Sequence, residues 1–100
     1  MDCRAAAKLG KMARHWQPAA FRLEGDLAWR HGRNSEARRL WQRSMIMASE
    51  VGNRYQLALS TAEIGHRYQR RTELERAVVL LNEAGATPDA ARVQRWLDAC

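Results

Sequence analysis

Apolar residues recur along this chain at helical spacing. Ala37, Leu40, Trp41, Ser44, Met45 and Ala48 fall on one stripe, and Ala77, Leu80, Leu81 and Ala84 fall on another. The punctuation between stripes predicts six helices. Asp2 is placed to cap the first, over 3–13. Gln17-Pro18 restarts the chain, since proline fits a first helical turn, and a second helix then runs over 17–31 and stops at Gly32. Asn34-Ser35 offers cap oxygens to a third, 35–50, and Val51-Gly52-Asn53 separates it from a fourth, 54–70. Thr72-Glu73-Leu74-Glu75 reads as a capping box opening a fifth helix over 73–84, with Gly85 at its C-terminal cap. Thr87-Pro88-Asp89 opens a sixth, over 88–99. Connections of about two to five residues make successive helices antiparallel neighbours.

Two copies of one pattern stand 40 positions apart. Gly25 is followed by Ala37, Trp41 and Ser44; Gly65 is followed at the same offsets by Ala77, Leu81 and Ala84. A small residue in mid-helix lets the next helix come close, a second small residue meets it at the crossing, and a bulky residue one turn on fills the gap. This spacing resembles that of the tetratricopeptide repeat, with departures: the period is 40, Ser44 replaces the last alanine, and the closing proline is missing from both copies. Residues His15 to Leu27, and Leu81 to Ala86 followed by Asp89 to Val93, are similar to the final repeats of large bacterial regulators that join a nucleotide-switch module to a helical arm. The resemblance implies a protein-interaction scaffold within a bacterial signalling or transcription regulator.

The expected architecture is therefore all-α: antiparallel helix-turn-helix repeats in a tetratricopeptide-like superhelix, closed by a C-terminal capping helix. Residues 1–14 form a half repeat, 16–50 and 53–84 two repeats, and 88–100 the cap, with Asp89, Arg92, Gln94, Arg95 and Asp98 on its polar outer face. Two pairs bury little on their own. The chain thus reads as the C-terminal part of a longer array, or as a small protein that self-associates through its open N-terminal end.

Composition agrees with helix and narrows the class. Seventeen Ala and ten Leu stand against nine Val, Ile and Thr together. No apolar run suits a membrane span, and the first residues lack the apolar stretch of a signal peptide. The expected location is the cytoplasm. Cys3 and Cys100 sit near opposite ends, without the spacing of a zinc or redox motif. Net charge is +6, and all of the excess lies in residues 1–43, which hold ten Lys/Arg and four Asp/Glu. Such an imbalance suits an acidic protein segment, or nucleic acid as the alternative partner, although basic residues interleaved with core positions equally describe solvated helix faces.

Catalytic constellations are absent: there is no phosphate loop, no nucleophile elbow and no metal-binding histidine pair. The chain is read as a non-enzyme that needs no cofactor or metal. His31 beside Gly32 suits a helix C-terminus. The 40-residue shift sets His66 beside Asp26, and Glu24 opposite Glu63. Trp41 reads as core, Trp96 as packing the last helix onto the one before, and Trp16 as a staple at the entrance of the second helix. Trp29 is either groove or core. The expected partner groove comprises Arg22, Asp26, Trp29 and Arg30 on one helix and Ala62, His66, Gln69 and Arg70 on the next. Its arginines offer forked hydrogen bonds to carboxylates.

Overall fold

The architecture is seen in a computed structural model, which describes the backbone of residues 3–100 and the side chains of residues 16–100. Asp2, expected to cap the first helix, and the side chains of Cys3 and His15 lie outside the described residues. Among the described residues five helices follow one another: α1 (Cys3–Arg30), α2 (Asn34–Glu50), α3 (Arg54–Arg67), α4 (Arg71–Glu83) and α5 (Thr87–Asp98). The described residues contain no strand, so the protein is all-α.

The expected break at Gln17-Pro18 does not occur. Pro18 sits inside α1, which joins the supposed half repeat to the first helix of the next pair. A proline inside a helix forfeits one backbone hydrogen bond. Here the ring is fully buried, and the Pro18 carbonyl accepts a 2.6 Å hydrogen bond from Ser44 Oγ on α2. Packing thus overrides the local signal.

All four connections are three residues long and are built alike. The middle residue has positive φ: Gly32 (76°), Gly52 (70°), Gln69 (52°) and Gly85 (73°). The residue after it sends its N–H back five positions. These bonds are Arg33 to Ala28 (2.9 Å), Asn53 to Ala48 (2.8 Å), Arg70 to Gly65 (2.8 Å) and Ala86 to Leu81 (2.9 Å). This is the Schellman closure of a helix C-terminus. It also fixes where the next helix starts, because the residue after the left-handed one becomes the N-cap. Only Asn53 has a side chain suited to that place, and its Oδ1 accepts from Gln56 N. The expected caps from Asn34-Ser35 and from Thr72 are therefore not formed. Their helices begin after Arg33 and Arg70, and Glu75 pairs with Arg71 at 3.1 Å instead.

Each helix packs on the next in the chain. In addition α1 touches α3 and α3 touches α5, whereas α2 and α4 share no such contact. The odd-numbered helices thus form an inner row. One core cluster lies among α3, α4 and α5, around Ala58, Ala62, Leu74, Ala77, Leu81, Val93 and Leu97. A second lies among α1, α2 and α3, around Ala28, Ala37, Trp41 and Ile64. Trp41 is core, as expected.

The 40-residue correspondence needs correction. A Cβ on Gly25 would meet Trp41 Nε1 at 2.5 Å, while one on Gly65 would meet Leu74 Cγ at 2.9 Å and its backbone N at 3.1 Å. Both glycines mark close helix crossings, but against different positions. Measured between their turns, the pairs are offset by 37 residues (Gly32 to Gln69) and then 33 (Gly52 to Gly85), because α2 is one turn longer than α4. Gly25 and Gly65 are out of register by three residues. That is nearly one helical turn, so both still face the following helix.

Candidate interaction surface

The inner row carries one continuous set of polar side chains, and each helix contributes through a simple stripe. On α1 the contributors are Arg22, Asp26 and Trp29; on α3 they are Tyr55, Gln56, Glu63, His66 and Arg67; on α5 they are Asp89, Arg92 and Trp96. The α5 stripe sits beside Ala90, Val93 and Leu97, which are buried.

Arg22 pairs with Asp26 one turn along at 3.7 Å and donates from Nε to Gln56 Oε1 across to α3 at 3.0 Å. Asp26 Oδ1 also accepts from Trp41 Nε1 at 3.0 Å, so the core indole holds the carboxylate in place. Glu63 pairs with Arg67 at 3.5 Å. Its carboxyl pKa is pushed up, first by burial and then by the Asp26 carboxylate, against the opposing charges of Arg67, Arg92 and Arg22. Glu63 Oε2 makes no hydrogen bond. On α5, Asp89 pairs with Arg92 at 3.4 Å and accepts from Tyr55 Oη at 2.7 Å. That bond, then burial and the Asp89 charge, raise the Tyr55 pKa. His66 stacks flat on Trp96 (centroids 4.0 Å apart, 10° between planes), with the Arg92 guanidinium near the same indole. Burial, then the Arg67 charge, lower the His66 pKa.

The structure brings together only part of the expected groove. Arg22 and Asp26 lie on the inner face. Trp29 also lies there, but is packed: it sits 5.8 Å from Trp41 and 5.7 Å from Tyr68, with the Arg67 guanidinium over its ring. Ala62 is buried in the core. Arg30 and Arg70 are exposed at the ends of their segments. Gln69 is a turn residue whose amide donates to the His66 carbonyl at 2.8 Å. The neighbour of Asp26 on α3 is Glu63, whereas His66 is held by Trp96. Glu24 is exposed and does not face Glu63. The 40-residue shift points one turn too far along α3, which ends at Arg67.

Two further corrections concern the tryptophans and the last helix. Trp96 stacks on α3 rather than packing solely on α4. Trp16 lies in mid-helix, so there is no entrance for it to staple. Asp89 and Arg92 turn inward to Tyr55 and Trp96, away from the polar outer face assigned to them. The i, i+3, i+7 spacing of Asp89, Arg92 and Trp96, offset by one residue from the apolar Ala90, Val93 and Leu97, is the sequence signal that marks them.

The arrangement defines a stack of antiparallel helices with a mixed-charge inner face. Among the described residues no cluster of His, Cys, Asp and Glu suits a metal ion, and no helix is long and apolar enough to cross a membrane. No protein-family model, no curated protein and no solved structure matches the chain.

Proposed function

We propose that this chain is a tetratricopeptide-like interaction module, without catalytic activity, that binds a protein or peptide segment along the face shared by α1, α3 and α5. The single observation that carries the reading is the repeated supply of one arginine–carboxylate pair from each inner helix: Arg22–Asp26, Arg67–Glu63 and Arg92–Asp89. Trp96 and Tyr55 stand among them. A row of alternating charge flanked by aromatics suits an extended segment whose acidic groups take the guanidinium forks while its amides meet the carboxylates. On this reading the module serves a bacterial signalling or transcription regulator in the cytoplasm.

The test selects binders from a random peptide library on the immobilised chain. The selected peptide and a single-stranded RNA are then titrated at about 50 and 200 mM salt. The expected result is saturable peptide binding that weakens at least about tenfold in Arg67→Ala and in Arg92→Ala, the scale of one charge-assisted hydrogen bond. Arg39→Ala, an exposed site on α2, leaves it unchanged. RNA binding that falls steeply with salt and is lost in Arg39→Ala would establish the nucleic-acid alternative instead. Peptide binding indifferent to Arg67 and Arg92 would remove the face from consideration.

A further inference from the structure

The side of α1 turned away from Pro18, Gly25 and Ala28 carries an apolar seam. Trp16, Ala20, Leu23 and Leu27 are all exposed, at spacings of four, three and four residues. The three large members are exposed by 65%, 57% and 53% respectively. This is the spacing of a two-helix seam, in which large and small residues of one helix fit between those of another. Patches of this kind on a stable surface mark an interface.

We propose that this seam binds a second copy of the chain, with α1 antiparallel to its counterpart across a two-fold axis. Two observations select that occupant. First, the seam is self-complementary. With the axis between residues 21 and 22, Ala20 faces Leu23 of the other copy and Trp16 faces Leu27, so each layer is completed by its own symmetry mate. Second, the surface has a receptacle for the large residue. A hollow lined by Glu24, Leu27, Ala28, Arg33, Glu36 and Leu40 opens beside Leu27, where the incoming Trp16 ring lies. The antiparallel sense also opposes the two helix dipoles.

The pairing continues the packing rule of the molecule. Each of α2, α3 and α4 has a packed neighbour on both sides along the chain, and α1 gains its second in the other copy. The proposal is independent of the inner face, because Arg22 and Asp26 lie on a different side of α1.

Sedimentation equilibrium of the full chain over about 1–300 µM tests it, a range suited to an interface no larger than the standard ~800 Å² per partner. The mass is expected to rise from 11.5 kDa to twice that value. Added salt should tighten the dimer by screening two chains of +6 charge. The double variant Leu23→Glu/Leu27→Glu should associate at least about tenfold more weakly with unchanged circular dichroism, since both side chains are exposed. Should that variant lose helix, Leu27→Gln alone gives the same comparison. Arg95→Ala, at the far end of the stack, should dimerise like the parent. A mass of 11.5 kDa throughout, or a dimer indifferent to Leu23 and Leu27, overturns the proposal.

Discussion

Ser44 and Ser60 share a hydrogen bond of 2.7 Å, fully buried between α2 and α3. Since Ser44 donates to the Pro18 carbonyl on α1, Ser60 must donate to Ser44. One chain of two hydroxyls and a carbonyl therefore ties three helices. Ser44→Ala strands the buried Ser60 hydroxyl and is expected to cost about 1–3 kcal/mol. Ser44→Ala/Ser60→Ala removes the stranded hydroxyl as well. Urea unfolding should therefore find the double variant less destabilised than the two single losses combined.

Gly25 and Gly65 each sit where the following helix leaves no room for a Cβ. Alanine is the better helix former by about 1 kcal/mol, so an exposed site would gain from the exchange. Here the added methyl meets the Trp41 ring in one case and the Leu74 side chain and backbone in the other. Both substitutions are expected to destabilise by about 1–3 kcal/mol. Gly65→Ala should be the worse of the two, because a backbone atom cannot rotate away as a side chain can. Gly25→Ala should also disturb Trp41 fluorescence, since the clash falls on the Nε1 that donates to Asp26.

These two glycines also show how far the sequence is legible. The helical class, the positions of α2 to α5 and the core roles of Ala37, Trp41, Ala77 and Leu81 follow from apolar spacing, which depends on the 3.6-residue period alone. Register along a helix does not, because a slip of three or four residues preserves the face. The inner surface is therefore recognisable as belonging to α1 and α3, while its α3 members include Glu63 and Arg67 beside the expected His66, and not Gln69 and Arg70. Pro18 is misread for a different reason. Its cost inside a helix is local, whereas its burial and the hydrogen bond from Ser44 come from residues far along the chain. The third turn is hidden because Gln69 stands where the other three have glycine.

Gln69 accordingly invites a substitution. At φ 52° its Cβ crowds the backbone, a penalty that glycine does not carry. Part of this is offset by the side-chain bond to the His66 carbonyl. Gln69→Gly should stabilise the protein by about 0.5–1 kcal/mol, and Gln69→Val should destabilise it, because a β-branched side chain tolerates the left-handed region least. Thermal melts followed by circular dichroism give both signs.

His66 joins α3 to α5 through its stack on Trp96, and it is the described site at which mild acid should act on the fold. Burial and the Arg67 charge hold its folded pKa below the ordinary 6.5. The folded state therefore binds this proton less readily than the unfolded chain. The stability it contributes is complete above 6.5 and is lost as pH falls through that value toward the folded pKa. His66→Phe keeps an aromatic ring against Trp96 and removes the titration. The parent's melting temperature should thus drop relative to His66→Phe as pH is lowered from about 7.5 to 5.5, the range in which an ordinary histidine charges. Comparing the two chains cancels the opposite contribution of Glu63, whose raised pKa favours the folded state on acidification. Parallel melting curves for the two proteins across that range would show that the ring contact is insensitive to the charge on His66.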